Sequence, residues 1–365
     1  LVVSNGLTAG FSSGSLGAFA VTNGRVVAKS FSVGRSGEGS FALAGASTRF
    51  DVSGNSYIGE NAGASGSVFI SGGTMNVTGV VYVGHNGFGS LTVQDGTNLN
   101  TTTFLGNNAS SRGVMRLSGV GAYASGGINM GNAAGAEGEL YLNGGLYYAP
   151  GETKLCINGR SLIVLDGGSY SNNGGNSYLP HYTGTGTLGV ASPQSTFYLG
   201  GWLSIGRLSN GVGNIYLSNG MFNVDSLDLP EKSNSVASMF VYNATAIVRS
   251  TSSGPFDIAQ DGASTGLVVV ADERGLIFAP GNNMNVGRGG NGTLIISNGT
   301  VNVKGMTIGG VAGAVGLVVV EAGSLIIPTN VLAVGANAPG TLILAHPDAY
   351  LEQGYDNGLT LGSAL

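Results

Sequence analysis

The stretch Val81-Tyr-Val-Gly-His-Asn-Gly-Phe-Gly-Ser-Leu-Thr-Val-Gln-Asp-Gly96 decides the fold. It holds two short runs, Val81-Tyr-Val83 and Leu91-Thr-Val93, each with an apolar residue at every second position, which is the period of a strand buried on one face. Each run meets Gly or Asp-Gly, residues that accept positive φ and so make sharp corners. Met284-Asn-Val-Gly-Arg-Gly-Gly-Asn-Gly-Thr-Leu-Ile-Ile-Ser-Asn-Gly299 repeats the design. Working outward, hydrophobic-Gly dipeptides end at Gly34, Gly59, Gly84, Gly106, Gly131, Gly206, Gly287, Gly309, Gly335 and Gly362. The step between them is nearly constant except from Gly131 to Gly206 and from Gly206 to Gly287, and each of these long gaps divides into three ordinary steps. A second unit runs in phase with the first, as in Phe19-Ala-Val21-Thr-Asn-Gly24 and Ile215-Tyr-Leu217-Ser-Asn-Gly220.

One coil of about 25 residues cannot bury its apolar side chains alone, so it must stack on its neighbours with strands paired in parallel. The expected fold is all-β, a right-handed parallel β-helix (β-solenoid) of about 14 coils, forming a single domain over residues 1–365. At ~4.8 Å per coil the rod would be roughly 65 Å long. Residues 146–200, with three prolines and a tyrosine cluster, and residues 225–265 depart from the pattern. Both are expected to be coils with longer corner loops, the place where solenoids make contacts, the alternative being drift in a loop without function.

Composition narrows the class. Glycine fills 67 of 365 positions, 42% of the residues are hydrophobic and 9% charged, enough apolar material for a long core and too little charge for a disordered chain. The net charge of −5 and the absence of any basic run exclude the electrostatic footprint of a nucleic-acid binder. Residues 61–94 carry no charge, but Gly, Ser, Asn and Thr interrupt them every few positions, so no membrane-spanning segment is expected. A lone Cys156 gives neither a disulfide nor a cysteine metal site and reads as a small core residue. With Leu1 in first place and no signal peptide, the chain reads as a processed product or a fragment.

The Val81–Gly96 string and its Met284–Gly299 echo resemble the glycine-rich repeat of bacterial autotransporter and PEP-CTERM-associated surface proteins. The likeness covers most of the chain and weakens over 146–200 and 225–265. It implies an extracellular or bacterial cell-surface location and the roles of passenger domain, adhesin or matrix component. It says almost nothing about activity.

No catalytic residue, cofactor or metal is expected. Solenoid enzymes that act on polysaccharides cluster carboxylates on one face, whereas the neighbouring acids here (Glu137 and Glu139, Asp225 and Asp228, Asp272 and Glu273) read as solvated charges beside strands and corners. His85, His181 and His346 are several coils apart and cannot share a metal or a triad. Glycine-rich corners such as Gly287–Gly292 lack the following helix that a phosphate loop needs. Tyr147, Tyr148, Tyr178, His181, Tyr182 and Trp202 are the candidates for ligand or lateral contact, with Trp202 either a sugar-stacking platform or a buried aromatic in a widened coil.

Neither end shows a capping element. Leu1, Val2 and Val3 at one end, and Leu359, Leu361 and Leu365 at the other, are therefore expected to stack head to tail, with copies of the chain as partners. Three functions follow in order: a non-catalytic structural fibre or surface-matrix subunit, an adhesin or stalk binding surface glycans, and a polysaccharide lyase or hydrolase.

Overall fold

A computed structural model describes residues 1–249, 254, 256–354 and 358–362. Leu365, expected at a self-assembling end, lies outside the described residues. The described chain is all-β without a helix, its parallel strands stacked as a β-solenoid of about 14 turns. It divides into two compact units, residues 1–174 and 175–365.

In the first unit each coil supplies one strand to one parallel sheet and either one long strand or two shorter ones, such as Arg49–Val52 and Ser56–Ile58, to the other. One sheet runs through Leu16–Thr22, Glu38–Ala44, Ser65–Ser71, Phe88–Gln94, Arg112–Ser118, Glu137–Asn143 and Arg160–Leu165. Pairing is residue on residue without slips, as where Leu91 lies between Val68 and Met115. The other sheet holds longer strands such as Thr74–Val83 and Thr97–Leu105, whose register shifts once in mid-strand where the chain bends round the coil. Apolar side chains alternate inward, and Val83, Leu91, Leu105 and Leu117 are fully buried. Phe31, Phe41 and Phe50 pack with ring centres 4.8–4.9 Å apart, a separation at which aromatic pairs add to plain burial.

The second unit repeats the plan. Thr185–Val190, Val212–Leu217, Val236–Val241, Thr265–Val270, Asn291–Ile296, Val315–Val320 and Gly340–Leu344 form one sheet. Strands such as Thr196–Ser204, Met221–Leu229 and Leu276–Val286 belong to the other. Coil length varies from coil to coil. A short coil separates Tyr123 from its partner Leu146, whereas a distinctly longer one separates Val236 from Thr265.

The glycine anchor has a specific physical cause. Gly84 sits at φ 69°, and a Cβ there would strike the Arg112 carbonyl of the next coil; the backbone conformation and the stacking distance both demand glycine. The register also shows what fills the two long gaps. Cys156, Pro180, Pro230 and Ala259 occupy the anchor position, each two residues after a residue stacked in the outer ladder. Ala259 takes the left-handed conformation itself, at φ 62°. Cys156 is fully buried, and burial pushes its thiol up to about 12, so it is the packed core residue expected rather than a reactive one.

Candidate functional site

The residue before the last apolar residue of each anchor unit points outward and stacks coil on coil. In the first unit this ladder runs Thr8, Ser32, Tyr57, Tyr82, Phe104, Asn129. In the second it runs Tyr178, Ser204, Asp228, Asp257, Asn285, Thr307. Three residues further along each coil the chain turns the corner, and the side chain there folds over the ladder.

Both units contain the same three-residue corner. Ser32 Oγ donates to Glu60 Oε2 at 2.6 Å and Arg35 lies 3.9 Å from the same oxygen. Ser204 Oγ donates to Glu231 Oε2 at 2.6 Å, and Arg207 pairs with the other carboxylate oxygen. The guanidiniums stack on aromatic rings in both cases, Arg35 over Phe11 at 4.8 Å and Arg207 over Trp202 at 4.9 Å, a cation–π contact.

Beyond this corner the second unit places acids where the first places rings. Asp228 lies beside Asp257 on adjacent strands, with the Glu231 corner over them. All three are nearly sealed, at 2%, 0% and 2% exposure. Asp257 accepts from Asn285 Nδ2 and Arg288 Nη1, both at 2.6 Å. Asp228 accepts a hydrogen bond from the Trp202 indole, while its Oδ1 has no partner. Burial, followed by the Asp257 and Glu231 carboxylates, pushes Asp228 well above the usual carboxylate range. Burial also raises Asp257, against the opposing hydrogen bonds of Asn285 and Arg288.

This corrects the expectation that the acids are solvated. Asp225 and Asp228 are 4% and 2% exposed, because both belong to the strand Met221–Leu229 and not to a corner. Glu137 fits the expectation, its side chain 45% exposed, while Glu139 is held at 2.6 Å by Arg112. The sequence carried a signal for the acid ladder. Leu203-Ser-Ile205, Leu227-Asp-Leu229 and Phe256-Asp-Ile258 place polar residues at one position of consecutive units, but adjacency along the chain hides residues that stacking brings together.

The expected contact residues separate. Tyr147 is fully buried, stacked on Tyr170 at 6.0 Å, so its ring is closed to any external ligand. Tyr148 is half-buried in the same strand. In the second unit Tyr178, His181, Tyr182 and Trp202 do come together: His181 lies 4.8 Å from Tyr178 and 4.5 Å from Tyr182, and Tyr178 meets Trp202 edge-on at 6.5 Å. Tyr178 is buried, Trp202 half-buried and Tyr182 42% exposed. Trp202 is thus neither a bare platform nor a core residue, since Arg207 covers one face and Asp228 takes its N–H. Leu1, Val2, Leu359 and Leu361 are exposed and Val3 half-buried.

Among the described residues no group of three or more His, Cys, Asp or Glu is placed to hold a metal ion, and no helix is long and apolar enough to cross a membrane. The acid cluster brings two carboxyls together with both raised above the usual range, and has the burial of a structural site. The class of protein is set by the fold, a parallel β-solenoid. The chain matches no family model, and no curated protein or solved structure matches it.

Proposed function

We propose that the chain is a non-catalytic structural solenoid of the bacterial cell surface or its extracellular surroundings. One observation carries the reading: the three convergent acids are sealed inside the corner, Asp257 paired with Arg288, Glu231 with Arg207, and Asp228 closed off at 2% exposure. Carboxylates that flank a scissile bond must reach it, and these are buried beneath the corner side chains. The location is supported by the resemblance of the Val81–Gly96 repeat to surface-protein repeats. Incubation with a panel of neutral and uronate polysaccharides tests the reading. No turnover is expected from the native chain, and turnover abolished by Asp228→Asn or Asp257→Asn would overturn it.

A second reading, a glycan-binding adhesin or stalk, is favoured by the half-exposed rings of Trp202, Tyr182 and His181 beside Arg207. Trp202 is the only tryptophan, so its emission reports this place alone. Saturable quenching by oligosaccharides that is lost in Tyr182→Ala would support binding here, and an unchanged emission across the panel would remove it.

A further inference from the structure

The second sheet of the 175–365 unit bears an uncharged face on which one continuous apolar column, with Val212, Val236, Leu267, Val315 and Leu317 beside it, runs among Thr, Asn and Ser side chains. Its outward positions stack Tyr216 on Phe240, then Val269, Ile295, Val319 and Ile343. No outward position on the seven strands from Thr185–Val190 to Gly340–Leu344 carries a charge. Tyr216 and Ile343 are 45% and 43% exposed, and flanking Val236 and Val315 are 46% and 47% exposed, so no described residue of the unit covers these side chains. The corresponding sheet of the first unit is different. Arg112, Arg116, Glu137, Glu139 and Arg160 stand on its outward face and keep it wet.

Size decides what such a face is for. Seven strands at ~4.8 Å and six residues at ~3.3 Å give a face of about 29 by 20 Å, roughly 600 Å², of which the apolar column and its apolar neighbours make up about half. The apolar half, about 300 Å², is the size of the largest apolar patch of a typical monomer, which is often a functional surface. Two such faces laid together bury about 1,200 Å², where specific interfaces begin. The borders fit as well: Lys232 and Asp261 precede the strands on one side, and Asp272, Arg274 and Glu321 follow them on the other, which is an uncharged centre with a charged rim. A ladder with one rung every ~4.8 Å is met best by another ladder of the same spacing, as in two sheets packed face to face about 10 Å apart.

We propose that this face is a lateral interface between two copies of the chain, the 175–365 sheet of one packed on the same sheet of the other about a two-fold axis. The contact is isologous and closes at two copies.

Light scattering on the purified full chain tests it. The expected mass is twice 36.4 kDa, falling towards the single-chain value on dilution. The double variant Val269→Glu, Ile295→Glu places like charges across the contact and is expected to weaken association at least a hundredfold. Thr92→Glu, outward on the first unit's sheet, should leave it unchanged. A chain that stays single at every concentration, or a dimer indifferent to the two glutamates, would overturn the proposal. Should the double variant fail to fold, Leu267→Cys at the middle of the patch decides. A short bis-maleimide is expected to link two copies through it, because native Cys156 is buried; no linked dimer from Leu267→Cys would overturn the proposal equally.

Discussion

The two units build the same coil and use its outward ladder differently. In residues 1–174 the step after the Ser32, Arg35, Glu60 corner is Tyr57, Tyr82 and Phe104, rings stacked at 5.1 and 5.3 Å with His85 edge-on to the two tyrosines. In residues 175–365 the step after Ser204, Arg207, Glu231 is Asp228 and Asp257, closed by Arg288. Stacked rings satisfy one another by their faces and leave only edges outward. Stacked carboxylates repel and require cations or protons. A parallel ladder therefore amplifies whatever residue it is given, because each rung meets its own kind at ~4.8 Å. The lesson is that a solenoid's chemistry is set by which residue types recur at one offset, and not by motifs that run along the chain.

The anchor offers the strongest way to break the likeness between the units. Gly84→Ala puts a methyl group into the Arg112 carbonyl at a left-handed backbone. The conformational cost of about 1–2 kcal/mol and overpacking against backbone of about 1–3 kcal/mol together predict a loss of roughly 3 kcal/mol. Chemical denaturation followed by circular dichroism reads it, and a loss under about 1 kcal/mol would show that stacking does not depend on glycine at this corner.

The next effect separates the two ladders directly. Arg288→Met leaves the buried Asp257 carboxyl with Asn285 as its one remaining side-chain partner. Removing one member of a fully buried pair costs about 3–5 kcal/mol; because the Arg288 side chain is 44% exposed, the expected loss is about 2 kcal/mol. Asn107→Leu at the matching corner of the first unit removes neutral hydrogen bonds to His85 and Asn108 and should cost about 1 kcal/mol. Equal losses in the two variants would mean that the acid ladder carries no special electrostatic load.

A pH series sharpens the same contrast. Asp228 and Asp257 are raised above the usual carboxylate value of 3.8, so the folded chain holds their protons more tightly than the unfolded one. Their contribution is complete below that value and is lost as pH climbs through the raised folded values. Asp51 in the first unit works in the opposite sense. Burial opposes its ionisation, but hydrogen bonds from Arg49, Arg25 and Asn76 outweigh it and lower the pKa. Its contribution is therefore present above 3.8 and lost on acidification. Asp228→Asn keeps an acceptor for the Trp202 indole and removes the proton, so melting curves from about pH 4 to 9 should flatten, with a gain of about 1 kcal/mol at the alkaline end. Trp202 emission should follow the Asp228 titration in the native chain and not in the variant. A variant with the native pH slope would place the uptake of protons elsewhere.

Much of this architecture was legible in the sequence, and the reason is the glycine anchor. A position that needs both a left-handed φ and close approach of two backbones tolerates little else, so the repeat is written in one letter. Where the corner is built by other means, at Cys156, Pro180 and Pro230, only the count of whole coils survived. The ladder chemistry was not legible as motifs because its partners lie a whole coil apart along the chain, as Ser204, Asp228 and Asp257 do. Nor could burial be inferred for Asp228: an outward residue is normally wet, and this one is sealed because Trp202 and the Glu231 corner close over it.

Ala259 is the exception that tests the rule. Ile258-Ala259 stands where other coils read hydrophobic-Gly, and the alanine adopts φ 62°, within the span of the anchor glycines at Gly206 (61°) and Gly287 (67°). An L-residue there carries a conformational cost of about 1 kcal/mol or more, and glycine removes it while adding freedom to the unfolded chain, worth about 0.4–1 kcal/mol. Burial adds a third term, since the Ala259 methyl is fully enclosed and its loss gives up about 0.8 kcal/mol. The three nearly cancel, so Ala259→Gly is expected to shift stability by under about 0.5 kcal/mol, the mirror image of the Gly84→Ala loss at the same place in another coil. A loss above about 1.5 kcal/mol on thermal unfolding would exceed the transfer value of one methyl and require a cavity cost besides. The methyl would then pack as a true core group, and this corner would have moved from a glycine-dependent turn to a side-chain-supported one.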